Sequence, residues 1–402
     1  MGGARPPAVA TIPRGSYTTR RRRPYPRLVG YLTGFECGLE SFAVDDTPVV
    51  VAPNAFKGTL SPLEAAHAMA RGVAQACPGR PVLLRPMPDG GDGTLEVLRR
   101  ALKADTRFFE VPDSCGQMRT VPFGLIRRRQ GSVALIESAQ VIGLAGAHCP
   151  FVTRSTEGLG RLVRHVLDCG VRTIYLGLGG SATCDAGVGL LAALGVRFAG
   201  LAHPNLEALD RMGDVDLTGL DRRLARTRLV ALTDVANSLA GPSGAVLFAA
   251  QKGAGPALLA DLDRRLRAAA DRLEPVFAVH ARKRPGSGAA GGLGFACALL
   301  GARLIPGAAM IARLTGLSAA IKMAGLVLTG EGACDAQTAY GKGPQLVAAY
   351  ARRLGRPVYL ICGRIDDSLT PFAEQFARRV SLPAGRPAAE ALSAAVMALL
   401  IP

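Results

Sequence analysis

The stretch that most constrains this 402-residue chain is a strand, loop and helix between positions 48 and 77. Val49-Val50-Val51 is a β-branched run with no polar side to turn to water, and Pro53-Asn54 turn the chain at its end. Ser61-Pro62-Leu63-Glu64 then reads as a helix start. Ser61 can cap, Pro62 suits the first helical position, and Glu64 completes a capping box. Pro78 and Gly79 end that helix, and a second apolar run, 81–87, stops at Asp89-Gly90-Gly91-Asp92-Gly93-Thr94. A helix over 94–103 follows. Strand, helix, strand, helix predicts a parallel sheet covered on both faces.

From Arg107 to Ser138 the period shortens to three strands separated by turn residues, as in an antiparallel meander. A helix over 158–169, a strand over 173–176 and the turn 177–187 (GLGGSATCDAG) come next, then the strand 229–235 with Asp234 near its end. Residues 281–294 read as a Gly-rich crossing and hinge. The last third returns to α/β alternation, with strands over 324–332 and 357–363 around a helix over 344–354. The expected fold is α/β in two domains: a discontinuous Rossmann-like parallel-sheet domain (46–106 plus 290–402) and an inserted mixed α/β domain (107–289). Residues 1–45 lack periodicity and are read as a non-core extension.

Composition narrows the function. The chain is 49% hydrophobic, enough for a large core, but only 5% aromatic with no Trp, which argues against base-stacking recognition of nucleic acid. Net charge is 48 − 31 = +17, and residues 1–30 carry seven arginines and no acid, so much of the excess lies in one tail. No specific nucleic-acid partner is expected. Nine irregularly spaced cysteines without a CxxC pair are read as reduced thiols, hence a cytoplasmic protein. The apolar runs fall short of the ~18 residues of a membrane span, and the N-terminal stretch lacks the apolar core of a secretory signal.

Four segments share one design, an apolar strand followed by an acid and a small hydroxyl residue, three of them with glycines. They are Asp89 to Thr94, Gly179-Gly180-Ser181-Ala182-Thr183-Cys184-Asp185, Thr233-Asp234, and Thr329-Gly330-Glu331-Gly332 running on to Asp335. Loops at the C-terminal ends of parallel strands are where open α/β sheets bind ligands. Glycines let backbone N–H groups approach an oxyanion, and the following helix adds its positive end. Acids there make sense if Mg²⁺ lies between carboxylate and phosphate, or if a carboxylate takes the proton of an attacking hydroxyl. Lysine is scarce, so Lys57, Lys252 and Lys342, each beside glycine, are candidate point charges for phosphate or carboxylate. GxxxxGK[ST] and HExxH are absent, and Gly286 to Gly291 fits GxGxxG without the preceding strand that a dinucleotide site needs.

Together these blocks, from APNAFKGT through PMPDGGDGT, GGSATCDAG, TDVANSLAGPSGA, QKGAGP and GSGAAGGLG to LTGEGACDAQTAYGKGP, resemble the bacterial glycerate kinase family (glycerate 2-kinase, type I) from Val49 to the C-terminus. The resemblance implies transfer of the ATP γ-phosphate, with Mg²⁺, to a hydroxyl of D-glycerate, giving 2-phosphoglycerate. On it we place Asp185 as the base, and Lys57 and Asp89 as catalytic partners. Gly90, Gly91, Gly93, Thr94, Gly179, Gly180, Ser181, Thr183, Asp234, Lys252, Gly291, Gly292 and Lys342 are placed around substrate and nucleotide, and Glu331 and Asp335 on the metal. The chain departs from the family pattern at Cys184 (usually Asn), Ala186 (Gly), Ala333 (Arg), Asp92 (Glu) and Ser238 (Pro). Cys184 and Ala333 motivate the alternative of a weakened member that only binds glycerate or nucleotide. A homodimer is a further partner to test.

Overall fold

The capping box predicted at Ser61 is present. Ser61 Oγ accepts from the Glu64 N–H and the Glu64 carboxylate accepts from the Ser61 N–H, which starts helix α1 (Pro62–Ala76). The preceding strand β1 (Val49–Val51) is wholly buried, as its composition requires. The computed structural model describes residues 47–334, 343–366, 372, 374–383 and 389–401. Asp335, Lys342 and the extension 1–45 lie outside the described residues.

β1 lies inside a five-stranded sheet of order β13-β12-β11-β1-β2, with β2 Val82–Leu84, β11 Leu326–Cys334, β12 Val358–Ile365 and β13 Arg378–Ser381. Every neighbouring pair is parallel. Side-chain alternation along β1 feeds two cores. Val49 and Val51 pack with α1 and the helix Ala389–Leu400. Val50 and Ala52 pack with helix α2 (Thr94–Ala101), helix α8 (Gly307–Leu314) and the helix Gly343–Arg353.

A second sheet of six strands has the order β10-β9-β6-β5-β4-β3. The meander comes first: β3 (Asp105–Pro112), β4 (Met118–Ile126) and β5 (Ser132–Glu137) pair antiparallel, as the sequence predicts. β6 (Val171–Gly177), β9 (Arg228–Thr233) and β10 (Arg303–Pro306) extend it in parallel from β5. Because β10 pairs with β9, the chain returns to the five-stranded sheet after residue 306 and not at 290. Leu135 of β5 and Leu232 of β9 share a core with Val50 and Val327 of the first sheet, so apolar packing ties the two sheets together. The fold is mixed α/β with parallel sheets, as expected. Among the described residues no helix is long and apolar enough to cross a membrane.

One expectation is overturned. Cys115, in the β3–β4 turn, and Cys149 form a disulfide across 34 positions, where the spacing pattern had suggested only free thiols. Sequence spacing carried no signal because the pairing is made by the fold, which brings the Asp113–Gln117 turn against the segment before Phe151. Cys149→Ser is expected to lower stability by about 2–4 kcal/mol, the entropy of closing such a loop. Denaturant unfolding with and without reductant measures it, and equal midpoints would show that the bond does not form.

Candidate active site

Three of the predicted loops meet from the two sheets. β2 leads to Asp89, β6 to Gly179 and β9 to Asp234, all at C-terminal strand ends. The two glycine-rich loops then lie backbone on backbone. The Gly179 N–H donates to Gly90 O at 3.0 Å. A Cβ on Gly179 would stand 2.6 Å from Gly91 Cα, and one on Gly90, whose φ is +106°, would stand 2.8 Å from Leu232 O. Only glycine permits this approach, so the paired glycines are first of all a packing device between the two sheets.

Asp89 and Asp234 line one open cleft of about 140 Å³ with Thr233, Pro285, Pro306 and Gly307. Asp89 is oriented by Asn54, at the end of β1, whose Nδ2 donates to Asp89 Oδ2 at 3.2 Å. Asn54 was a turn former in the sequence reading and not a site residue. Its role becomes visible only when β1 and β2 are placed side by side.

Asp185 stands elsewhere. It is fully buried, and its carboxylate accepts four hydrogen bonds, from Thr156 N (2.9 Å), Thr156 Oγ1 (2.8 Å), Gly187 N (3.0 Å) and Gly189 N (3.3 Å). Those donors open helices α4 (Glu157–Asp168) and α5 (Val188–Ala193), so the carboxylate meets two positive helix ends. Burial pushes its carboxyl above the usual carboxylate range, and the four donors oppose that shift. Its four accepted bonds make Asp185 a buried cap of α4 and α5, a use for which Asp in a Gly-rich turn gave no distinguishing signal.

Ser181 and Thr183 are joined to Lys252, whose Nζ donates to Ser181 Oγ at 3.1 Å and to Thr183 O at 2.8 Å. Burial pulls the Lys252 ammonium below its ordinary value, while Cys184, Asp234 and Asp185 favour its charged form. Arg154, which the sequence reading missed, donates to Ala182 O (3.3 Å) and Lys252 O (2.7 Å) and so fixes both segments. Gly291 and Gly292 also serve this loop. They are left-handed (φ +65° and +93°), buried, and lie at the start of α7 (Ala289–Leu299), where a Cβ on Gly291 would strike Thr183 O. The expected hinge is instead a tightly packed support in this region.

The departures from the family pattern find physical places. Cys184 is 1% exposed within the apolar core, and burial raises its thiol to about 11, so it removes no group from the cleft. Ala186 takes a left-handed backbone (φ +54°), the region that favours glycine. Ala333 pairs in register with Arg364 of β12, so a guanidinium stands on the neighbouring strand.

Lys57 is exposed in the loop after β1, where its backbone N lies close to Gly332. Glu331 lies within β11 and not in a loop, 6% exposed, with Cys334 Sγ 4.0 Å from its Oε1. The hydroxyls of Thr94 and Thr183 are buried without a hydrogen-bond partner among the described residues. Each belongs to one of the two glycine-rich loops, and such orphaned groups call for a ligand or ordered water.

The glycerate kinase family model matches residues 49–399. A glycerate kinase of Halalkalibacterium halodurans is 38% identical over 332 residues, covering 79% of this chain and 86% of that protein. The glycerate 2-kinase of Escherichia coli K12 is 35% identical over 331 residues, 80% of this chain and 86% of that one. A solved structure described as glycerate kinase 2, from Salmonella typhimurium LT2, superposes with a TM-score of 0.73 at 33% identity, covering 89% of this chain and 98% of its own. The chain is thus a kinase and a member of the glycerate kinase family.

Proposed function

We propose that the chain transfers the γ-phosphate of ATP to a hydroxyl of D-glycerate, giving 2-phosphoglycerate. The observation that carries this reading is the placing of Asp89 and Asp234, from the two sheets, in one cleft beside the contact of Gly90-Gly91 with Gly179. The alternative of a member that only binds is disfavoured, because Cys184 lies in the core and leaves the cleft acids in place.

In this mechanism Asp234 orients the glycerate hydroxyl and takes its proton as the new P–O bond forms, while the phosphate leaves ADP on the far side. Asp89, held by Asn54, is the second cleft acid. Lys252 gives a desolvated positive charge behind Ser181, and Lys57 an exposed one in the loop after β1. Thr94 and Thr183 supply hydroxyls to bound oxygen atoms or to water ordered with them.

Mg²⁺ in such reactions keeps several waters, takes its remaining oxygens from phosphate and one or two carboxylates, and neutralises charge on the phosphates. Among the described residues no group of three or more His, Cys, Asp or Glu could hold an ion alone. Asp89 fits the smaller demand of a metal that arrives with ATP, with Asp234 left to take the proton. Glu331 remains a second candidate.

The test is phosphorus NMR of the product after incubation with D-glycerate, ATP and Mg²⁺, beside a coupled assay of ADP release. A resonance from 2-phosphoglycerate is expected. Saturable binding without ADP release would overturn the proposal.

A further inference from the structure

The corner after β5 touches both glycine-rich loops. Glu137, the last residue of β5, is 1% exposed, and no part of the proposed chemistry uses it. Its carboxylate accepts from the Leu95 N–H at 2.8 Å, the Gly93 N–H at 3.3 Å and Gln140 Nε2 at 3.2 Å. It therefore caps α2 from outside, at a helix start where Gly93 offers no capping side chain. The next residues grip the other loop. Ser138 Oγ donates to Gly179 O at 3.4 Å, Leu144 N to Gly180 O at 3.1 Å, and Ala182 N to Ile142 O at 2.8 Å. One eight-residue segment thus bonds to the loop carrying Asp89 and Asp92 and to the loop carrying Gly180 and Ser181.

We infer that residues 137–144 form a clamp that sets the register of these two loops, with Glu137 as the positioning residue at its anchor. This rests on the kinase reading of the cleft for its effect on turnover, but not for its effect on the loops. Capping by Ser, Thr, Asn or Asp from the preceding residue is the usual device at a helix start. Here the cap comes from another sheet 42 positions away, so the first turn of α2 cannot shift without moving β5 and, through Ser138, the Gly179 loop. Substrate and phosphate bound to different loops must be aligned to within fractions of an ångström for in-line attack, and a displacement of about 1 Å costs about 100-fold in rate.

The test uses Glu137→Gln, which keeps one acceptor oxygen and turns an NH₂ toward a backbone donor, and Gln140→Leu, a milder variant that removes one bond to the carboxylate. Glu137→Gln is expected to lower kcat for ADP release by about 10–100-fold with KM for glycerate and ATP changed less than about 3-fold, and Glu137→Asp to restore part of it. Amide exchange should quicken at Gly93 and Leu95 and also at Ala182, which Glu137 does not touch. Exchange at Ala182 unchanged in both variants, or kcat within about twofold of wild type while the 93–95 amides open, would sink the clamp. If the wild type phosphorylates no hydroxy acid, the kinase reading fails by itself and the exchange at Ala182 still decides the clamp.

Discussion

Asp234→Asn is expected to lower kcat by about 10²–10⁴-fold, the usual contribution of a positioned base, with an unfolding midpoint close to wild type. Asp234 follows the last residue of β9 and faces the cleft, where it stands with Asp89. The strand beneath it is held by pairing with β6 and β10, so an isosteric amide leaves the scaffold intact. The amide keeps a hydrogen bond to the hydroxyl but cannot accept its proton, and the loss should therefore fall on kcat and not on KM. Single-turnover phosphate transfer measures it. Turnover within tenfold of wild type would move the base elsewhere, with Asp89 the next acid to replace.

Asp185→Ala should show the opposite pattern, a loss of about 3–5 kcal/mol of stability, because buried donors left unsatisfied cost ~1–3 kcal/mol each and part of the cost relaxes. Four donors would lose their acceptor: Thr156 N and Oγ1, Gly187 N and Gly189 N. They open α4 and α5, whose Leu159, Leu162, Leu190 and Leu191 build the core of the six-stranded sheet. Loss of activity should follow the folded fraction, so kcat per native molecule falls less than for Asp234→Asn. Calorimetry and active-site titration on the same sample separate the two. An unchanged melting temperature with abolished kcat would return Asp185 to the chemistry.

These two acids show how far the sequence could be read. Both follow an apolar strand and both lie in loops of small residues, and nothing in the local sequence distinguishes a cap from a base. The difference lies in the donors. Thr156 lies 29 positions before Asp185, and only the packing of α4 beside α5 brings its N–H and hydroxyl to that carboxylate. Asn54 on Asp89, Glu137 on α2 and Arg154 on the 182 and 252 carbonyls are of the same kind, with partners 28 to 98 positions apart. The Cys115–Cys149 bond belongs with them, as does β10, whose place beside β9 decides where the chain leaves the second sheet.

What the sequence by itself determined is local and periodic. The β-branched run of β1, the capping box of α1, the meander from Arg107 to Ser138 and the glycine-rich loops at strand ends each follow from a few neighbouring residues, and together they fixed the α/β class and the family resemblance. Tertiary structure alone decided which loop acid faces solvent, which carboxylate is spent on helix ends, and that the glycines 90, 91, 179 and 291 bring backbones together. The physical reason is that propensity and burial act over one turn or one strand, whereas desolvation and hydrogen-bond satisfaction depend on groups that only the folded chain makes neighbours.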